Sequence, residues 1–119
     1  LFNLVRRQAL LGLDVICDSP LTFERSYTRL REIAGETGAK LFIVESTCSD
    51  EQAWLERIEA RKMLSLPAHH QTDWKELQSY RQWASTTSAY PIHDPHLIVD
   101  TTQPLSELLR EITAWLAQR

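Results

Sequence analysis

The sequence predicts an α/β fold, three layers deep, in which a parallel sheet lies between helices. Three apolar runs of strand length carry the expectation: VICD at residues 15–18, KLFIVES at 40–46 and HLIVD at His96–Asp100. Each is followed by a segment whose apolar residues recur at helical spacing. Parallel strands need long crossover connections, and such segments supply them.

The elements follow in order. LFNLVRRQALLG reads as an amphipathic helix closed by Gly12 in the C′ position, and because the chain begins with Leu1 rather than Met its start is expected to be a truncation. VICD is then a strand, turned by Ser19 and Pro20. Thr22 caps a helix with Phe23, Tyr27, Leu30, Ile33 and Ala34 at helical spacing, and Gly38 ends it. After the KLFIVES strand, Ser49 and Gln52 make a capping box for a helix running to Met63. Pro67 interrupts. A further helix is expected from Thr72 as N-cap to about Ala84, with Trp74, Leu77, Arg81 and Ala84 on one side, and STTSAYPIHDP is then loop. The last strand leads through Thr101, Thr102 and Gln103 to Pro104 at the first helical position. Leu105, Leu108, Leu109, Ile112, Trp115 and Leu116 form the apolar stripe of the final helix.

Composition narrows the classes. At 119 residues and 43% hydrophobic content, with four tryptophans, residues 1–119 are expected to form a single domain with a real core. A net charge of −3 gives no general electrostatic footprint for nucleic acid, so a polynucleotide partner has to be argued locally. Cys17 and Cys48 are the only cysteines, and two free thiols in a reducing compartment are expected. Apolar stretches such as LFIV fall far short of the ~20 residues of a membrane-spanning helix. A soluble, cytoplasmic protein with no membrane partner is the expectation.

Ligands of open parallel sheets bind at the carboxyl ends of the strands, where a Mg-nucleotide site also places its metal-facing carboxylate. Asp18 stands at such an end. The bland alternative is an Asp that caps the next turn through Ser19 and Thr22. A G-x-x-x-x-G-K-[ST] phosphate loop does not occur in these residues, whose glycines are Gly12, Gly35 and Gly38. Arg57 and Arg61, four apart, project from one helix face and can close together over phosphate, or form a solvated face with Glu56 and Glu59. Arg25 begins a face shared with Arg29, Glu32 and Glu36. His69 with His70, and His93 with His96, have the ligand type of a zinc site but not the spacing, so no such site is expected. No base is placed beside Cys48, which is read as a bystander, and the helical setting of Trp74, Tyr80 and Trp83 favours packing over base stacking.

VICDSP, a helix carrying Arg25, KLFIVES followed by CSDEQAWLERIEARK, and LIVDTTQP before a final helix stand in an order that resembles the P-loop kinases acting on small molecules or nucleic-acid ends. The zeta-toxin, chloramphenicol phosphotransferase and polynucleotide kinase relatives share this layout, and the resemblance covers nearly the whole chain. It implies a sheet of five parallel strands, with the phosphate-loop strand lying between the ones that VICD and LFIV resemble. That central strand is missing here. A span on the order of 50 residues, one or two βα units, is then expected upstream, holding the phosphate loop, its lysine and an early carboxylate. The chain is thus expected to be the carboxyl-terminal portion of a P-loop kinase domain, with residues 62–96 as its lid-side variable helix and loop.

The resemblance also implies roles. Asp18 is the catalytic carboxylate that holds Mg²⁺, Arg57 and Arg61 are the lid arginines that stabilise the transferring phosphoryl, and Arg25 is a substrate-side arginine. Thr101 and Thr102 pass beside the adenine of ATP. The implied activity is ATP-dependent transfer of the γ-phosphoryl group to a hydroxyl of a small molecule or of a nucleic-acid 5′ end, with ATP and Mg²⁺ as cofactors. The fragment alone is expected to be inactive. The alternative is a non-catalytic nucleotide-binding or regulatory module of the same fold. A hydrolase reading needs a G-x-S-x-G elbow, which does not occur. Loss of a central strand leaves unpaired sheet edges through which the chain is expected to associate.

Overall fold

Two of the three expected strands pair with each other. The computed structural model, which describes residues 1–64, 73–87 and 90–118, places β1 (Ile43–Thr47) parallel to β2 (His96–Asp100), with Ile43 opposite His96 and Thr47 opposite Asp100. The helices are α1 (Phe2–Leu10), α2 (Glu24–Thr37), α3 (Glu51–Met63), α4 (Trp74–Thr87) and α5 (Leu105–Ala117). The described residues are thus broadly α/β, mixing helices with a two-stranded parallel sheet.

The expected strand at residues 15–18 does not form. The segment has no strand partner, and Ile16 is 99% exposed. Apolar content makes a run suitable for a sheet, but a ladder exists only where a neighbouring edge satisfies its backbone groups. Asp18 therefore lies in irregular chain instead of at a strand end. β1 also starts later than expected, at Ile43, and extends to Thr47.

The chain divides into two compact units, Leu1–Phe42 with Ala84–Pro95, and Ile43–Trp83 with His96–Arg119. In the first, α1 packs on α2 and Arg6 Nε bonds Glu36 at 2.6 Å. Tyr27, Leu30 and Ile33 recur at helical spacing on α2 and are its buried residues. Gly12 and Gly38, with φ of 75° and 70°, end α1 and α2 in the left-handed conformation that glycine adopts without steric cost. Phe23, without a side-chain cap, takes the N-cap position expected of Thr22. Tyr90 stacks on Tyr27 with centroids 5.7 Å apart, and its hydroxyl donates to the Leu21 carbonyl.

In the second unit Ile43, Ile58, Val99 and Leu108 are buried. α5 packs on β2 through half of its apolar stripe: Leu108 is buried, while Leu105 and Leu109 are 70% and 54% exposed. Asp50, not Ser49, caps α3, accepting from the amides of Gln52 at 2.9 Å and Ala53 at 3.1 Å. Asp73 and Glu76 form a reciprocal box at the start of α4. The expected cap Thr72 and the break at Pro67 lie outside the described residues. Arg81 on α4 reaches Glu51 at 3.2 Å and lies 4.6 Å above the ring of Trp54, which meets Trp74 edge to face. Pro104 occupies the N-cap of α5, one residue before the first helical position. Among the described residues no helix is long and apolar enough to cross a membrane, and Cys17 and Cys48 are free thiols.

Candidate functional site

The carboxyl ends of β1 and β2 are stitched together by side chains from the loops that follow them. Threonine closes the sheet end twice. Thr47 donates its hydroxyl to the Val99 carbonyl at 3.0 Å, and Thr101 donates both its backbone N–H, at 2.8 Å, and its hydroxyl, at 2.7 Å, to the Thr47 carbonyl. A β-branched residue with a hydroxyl suits this position because it keeps strand geometry and still reaches a neighbouring carbonyl.

Asp100 ends β2 and ties the two loops. Its Oδ1 accepts from the Ser49 amide at 3.3 Å and the Thr102 amide at 3.0 Å. Hydrogen bonding from Ser49, then from the Thr102 amide, favours the ionised form over the effect of desolvation and holds its carboxyl down at about 2.

Arg57 on α3 adds a second tie. Its Nη1 donates to the Thr101 hydroxyl at 3.0 Å and lies 3.8 Å from Cys48 Sγ, and its Nη2 donates to the Thr101 carbonyl at 2.7 Å. The planar fork of arginine fits a hydroxyl and a carbonyl of one residue, which a lysine ammonium does not match. At the start of α3, the amides of Ser49, Gln52 and Ala53 are all held by carboxylates, those of Asp100 and Asp50.

The structure therefore gathers Arg57, Thr101 and Thr102 of the expected residues. Arg61 lies one turn along α3, exposed, and its guanidinium makes no hydrogen bond or ion pair with a described residue. Asp18 and Arg25 belong to the first unit. Asp18 is exposed, with no hydrogen bond or ion pair to a described residue, and the Arg25 guanidinium lies 5.1 Å over the ring of Phe23. Asp100, Thr47 and Ser49 were not among the expected residues. The signal for Asp100 was the one used for Asp18, an acid directly after an apolar run.

No three His, Cys, Asp or Glu side chains among the described residues converge as a metal site. His96 Nε2 lies 3.0 Å from Glu45 Oε2, whereas His69 and His70 lie outside the described residues. Comparison with known proteins finds no match to the chain among family models, curated proteins or solved structures.

Proposed function

We propose that these residues form the nucleotide-facing portion of an ATP-dependent phosphotransferase of the P-loop kinase kind. In that reading the two-stranded sheet belongs to a three-layer α/β/α domain whose central, phosphate-loop strand is not among these residues. The acceptor hydroxyl oxygen forms a bond to the γ-phosphorus as the bond to the ADP oxygen breaks, and the hydroxyl proton passes to a base outside these residues. The observation that carries the reading is the Arg57 to Thr101 tie, which fixes the helix after one parallel strand to the loop after the next, at the sheet end where nucleotides bind. The VICD segment pairs with no described strand and Ile16 is 99% exposed, which supports a strand partner that is not among these residues.

Asp18 fits a magnesium role in one respect: it is an exposed carboxylate with no described partner, and magnesium at nucleotide sites uses one or two protein carboxylates with water and phosphate oxygens completing the shell. When bound, the ion supplies neutralisation of phosphate charge. Arg61, open on α3, stabilises charge on the transferring phosphoryl, with Arg57 beside it, and Arg25 serves the acceptor side. Thr101 and Thr102 lie along the base. Residues 62–96 are read as the lid side, and free thiols suit a cytoplasmic setting.

The test is binding and turnover by the native gene product that contains these residues. Mg-ATP is expected to raise its Tm, and Arg61→Ala is expected to lower kcat far more than nucleotide affinity, the mark of lost transition-state stabilisation. A protein whose Tm Mg-ATP leaves unmoved is not of this class. The absence of a Gly-rich phosphate loop from these residues favours a second reading, a non-catalytic nucleotide-binding or regulatory module. ATP binding without transfer to any small alcohol, sugar, nucleotide or polynucleotide 5′ end identifies it.

A further inference from the structure

β2 pairs with β1 on one side and with no described strand on the other. Thr101 turns its N–H inward to the Thr47 carbonyl, and the Val99 carbonyl, also facing β1, takes the Thr47 hydroxyl. Backbone groups alternate in direction along a strand, so Leu97 and Val99 face β1 while His96, Ile98 and Asp100 turn their N–H and C=O outward. Among the described residues, only the Asp100 carbonyl of this outward set meets a donor, the Gln103 amide at 3.2 Å. HLIVD contains neither lysine nor proline, the residues that blunt natural sheet edges, and Ile98 at its centre is 58% exposed. The edge is open to pairing.

The chemistry of HLIVD complements itself under a two-fold axis. A second β2 laid antiparallel and centred on Ile98 sets Ile98 against its own copy, Leu97 against Val99 and His96 against Asp100. The three outward residues then meet as hydrogen-bonded pairs. Their side chains share one face of the sheet, so an apolar pair on the axis is flanked at both ends by an imidazole opposite a carboxylate. Asp100 is ionised at neutral pH, its carboxyl held down at about 2, and His96 Nε2 already lies 3.0 Å from Glu45 Oε2 of its own chain. β1 has no such match: an antiparallel copy centred on its middle residue opposes Glu45 to Glu45, a like-charge pair. We propose that β2 is a dimerisation edge, which pairs antiparallel with β2 of a second copy of this chain to build a four-stranded sheet in the order β1-β2-β2-β1. This edge is independent of the nucleotide reading, whose missing strand lies beside β1. A five-residue strand contact is small against the roughly 800 Å² that each partner gives to a stable interface, so the dimer is weak and concentration-dependent.

Sedimentation equilibrium of the 119-residue chain tests the edge. A monomer–dimer equilibrium with Kd on the order of 10–100 µM is expected. Ile98→Lys opposes two ammonium groups on the axis and should weaken the dimer about tenfold or more with an unchanged circular dichroism spectrum, whereas Leu109→Ala on α5 should leave it as strong. A residue on the axis meets its own copy at a Cα separation of about 5.5 Å, within reach of a disulfide. In a Cys17→Ser, Cys48→Ser background, Ile98→Cys should therefore cross-link two chains on oxidation, and Val44→Cys on β1 should not. The cross-link serves if the lysine variant does not fold. A chain that stays monomeric up to about 500 µM overturns the proposal. So does a dimer that survives Ile98→Lys, one that Leu109→Ala abolishes, or cross-linking through Val44→Cys in place of Ile98→Cys.

Discussion

Tyr27 and Asp94 share a hydrogen-bond centre: the Tyr27 hydroxyl donates to Asp94 Oδ2 at 2.5 Å while accepting from the backbone amides of His93 at 2.8 Å and Asp94 at 3.1 Å. Tyr27 is 3% exposed, and Arg31 approaches the same carboxylate at 3.1 Å. One phenol thus satisfies two amides of the segment that leads into β2. Tyr27→Phe keeps the ring and its stacking on Tyr90 but leaves those amides and a carboxylate lone pair unmet. The expected cost is roughly 1–3 kcal/mol in urea unfolding. A change within error would show that water replaces the hydroxyl without loss.

The two faces of α5 should answer differently to the same chemistry. Leu108→Ala removes a buried side chain against β2 and should cost roughly 2–5 kcal/mol, whereas Leu109→Ala, at an exposed position, should stay within about 0.5 kcal/mol. Equal losses would mean that Leu109 is covered in solution, the outcome expected if the chain associates through this helix.

Asp100 predicts an acid response. Its carboxyl is lowered from 3.8 to about 2 in the folded protein, so between those values the unfolded chain binds the extra proton and stability rises with pH. The contribution is fully present above the ordinary value of the group and is lost as the pH falls through about 2. Asp100→Asn should flatten this part of the stability profile while leaving the amide bonds partly served. Parallel acid titrations by circular dichroism check it, and superimposable curves would show that the carboxylate is not held down.

Asp50→Ala should destabilise by about 1 kcal/mol, since it uncaps the amides of Gln52 and Ala53. The same substitution removes the negative charge nearest those donors. Chemical denaturation of the variant at neutral pH measures the loss, and an unchanged midpoint would assign the capping to water.

How much of this was legible depends on whether a residue's fate is local. HLIVD was readable to its last residue because a proline precedes it and a turn follows, and Gly12 and Gly38 mark helix ends by a conformation their own backbones favour. VICD shares with HLIVD an apolar run ending in Asp and fails as a strand, because pairing belongs to the neighbour and not to the run. Ser49 was expected to cap α3, and composition alone does not set it apart from Asp50 beside it. The carboxylate of Asp50 bonds the α3 amides while the Ser49 amide turns to Asp100, fifty-one residues away in sequence. Thr101 was picked out without Asp100 beside it, since only the meeting of two loops gives that acid its partners. The stripe of α5 was read as one face when half of it is covered, because periodicity shows which residues are apolar and not how wide the covering surface is.

Arg81, lying on the indole of Trp54 and bonded to Glu51, gives the protein an optical gauge of its own. A guanidinium on the ring face and a second indole at the edge set the emission of that fluorophore. A ligand that draws Arg81 and Trp74 away from Trp54 is expected to change the colour or intensity of that emission, so motion of the fourth helix against the third can be followed in the untagged protein, without a label.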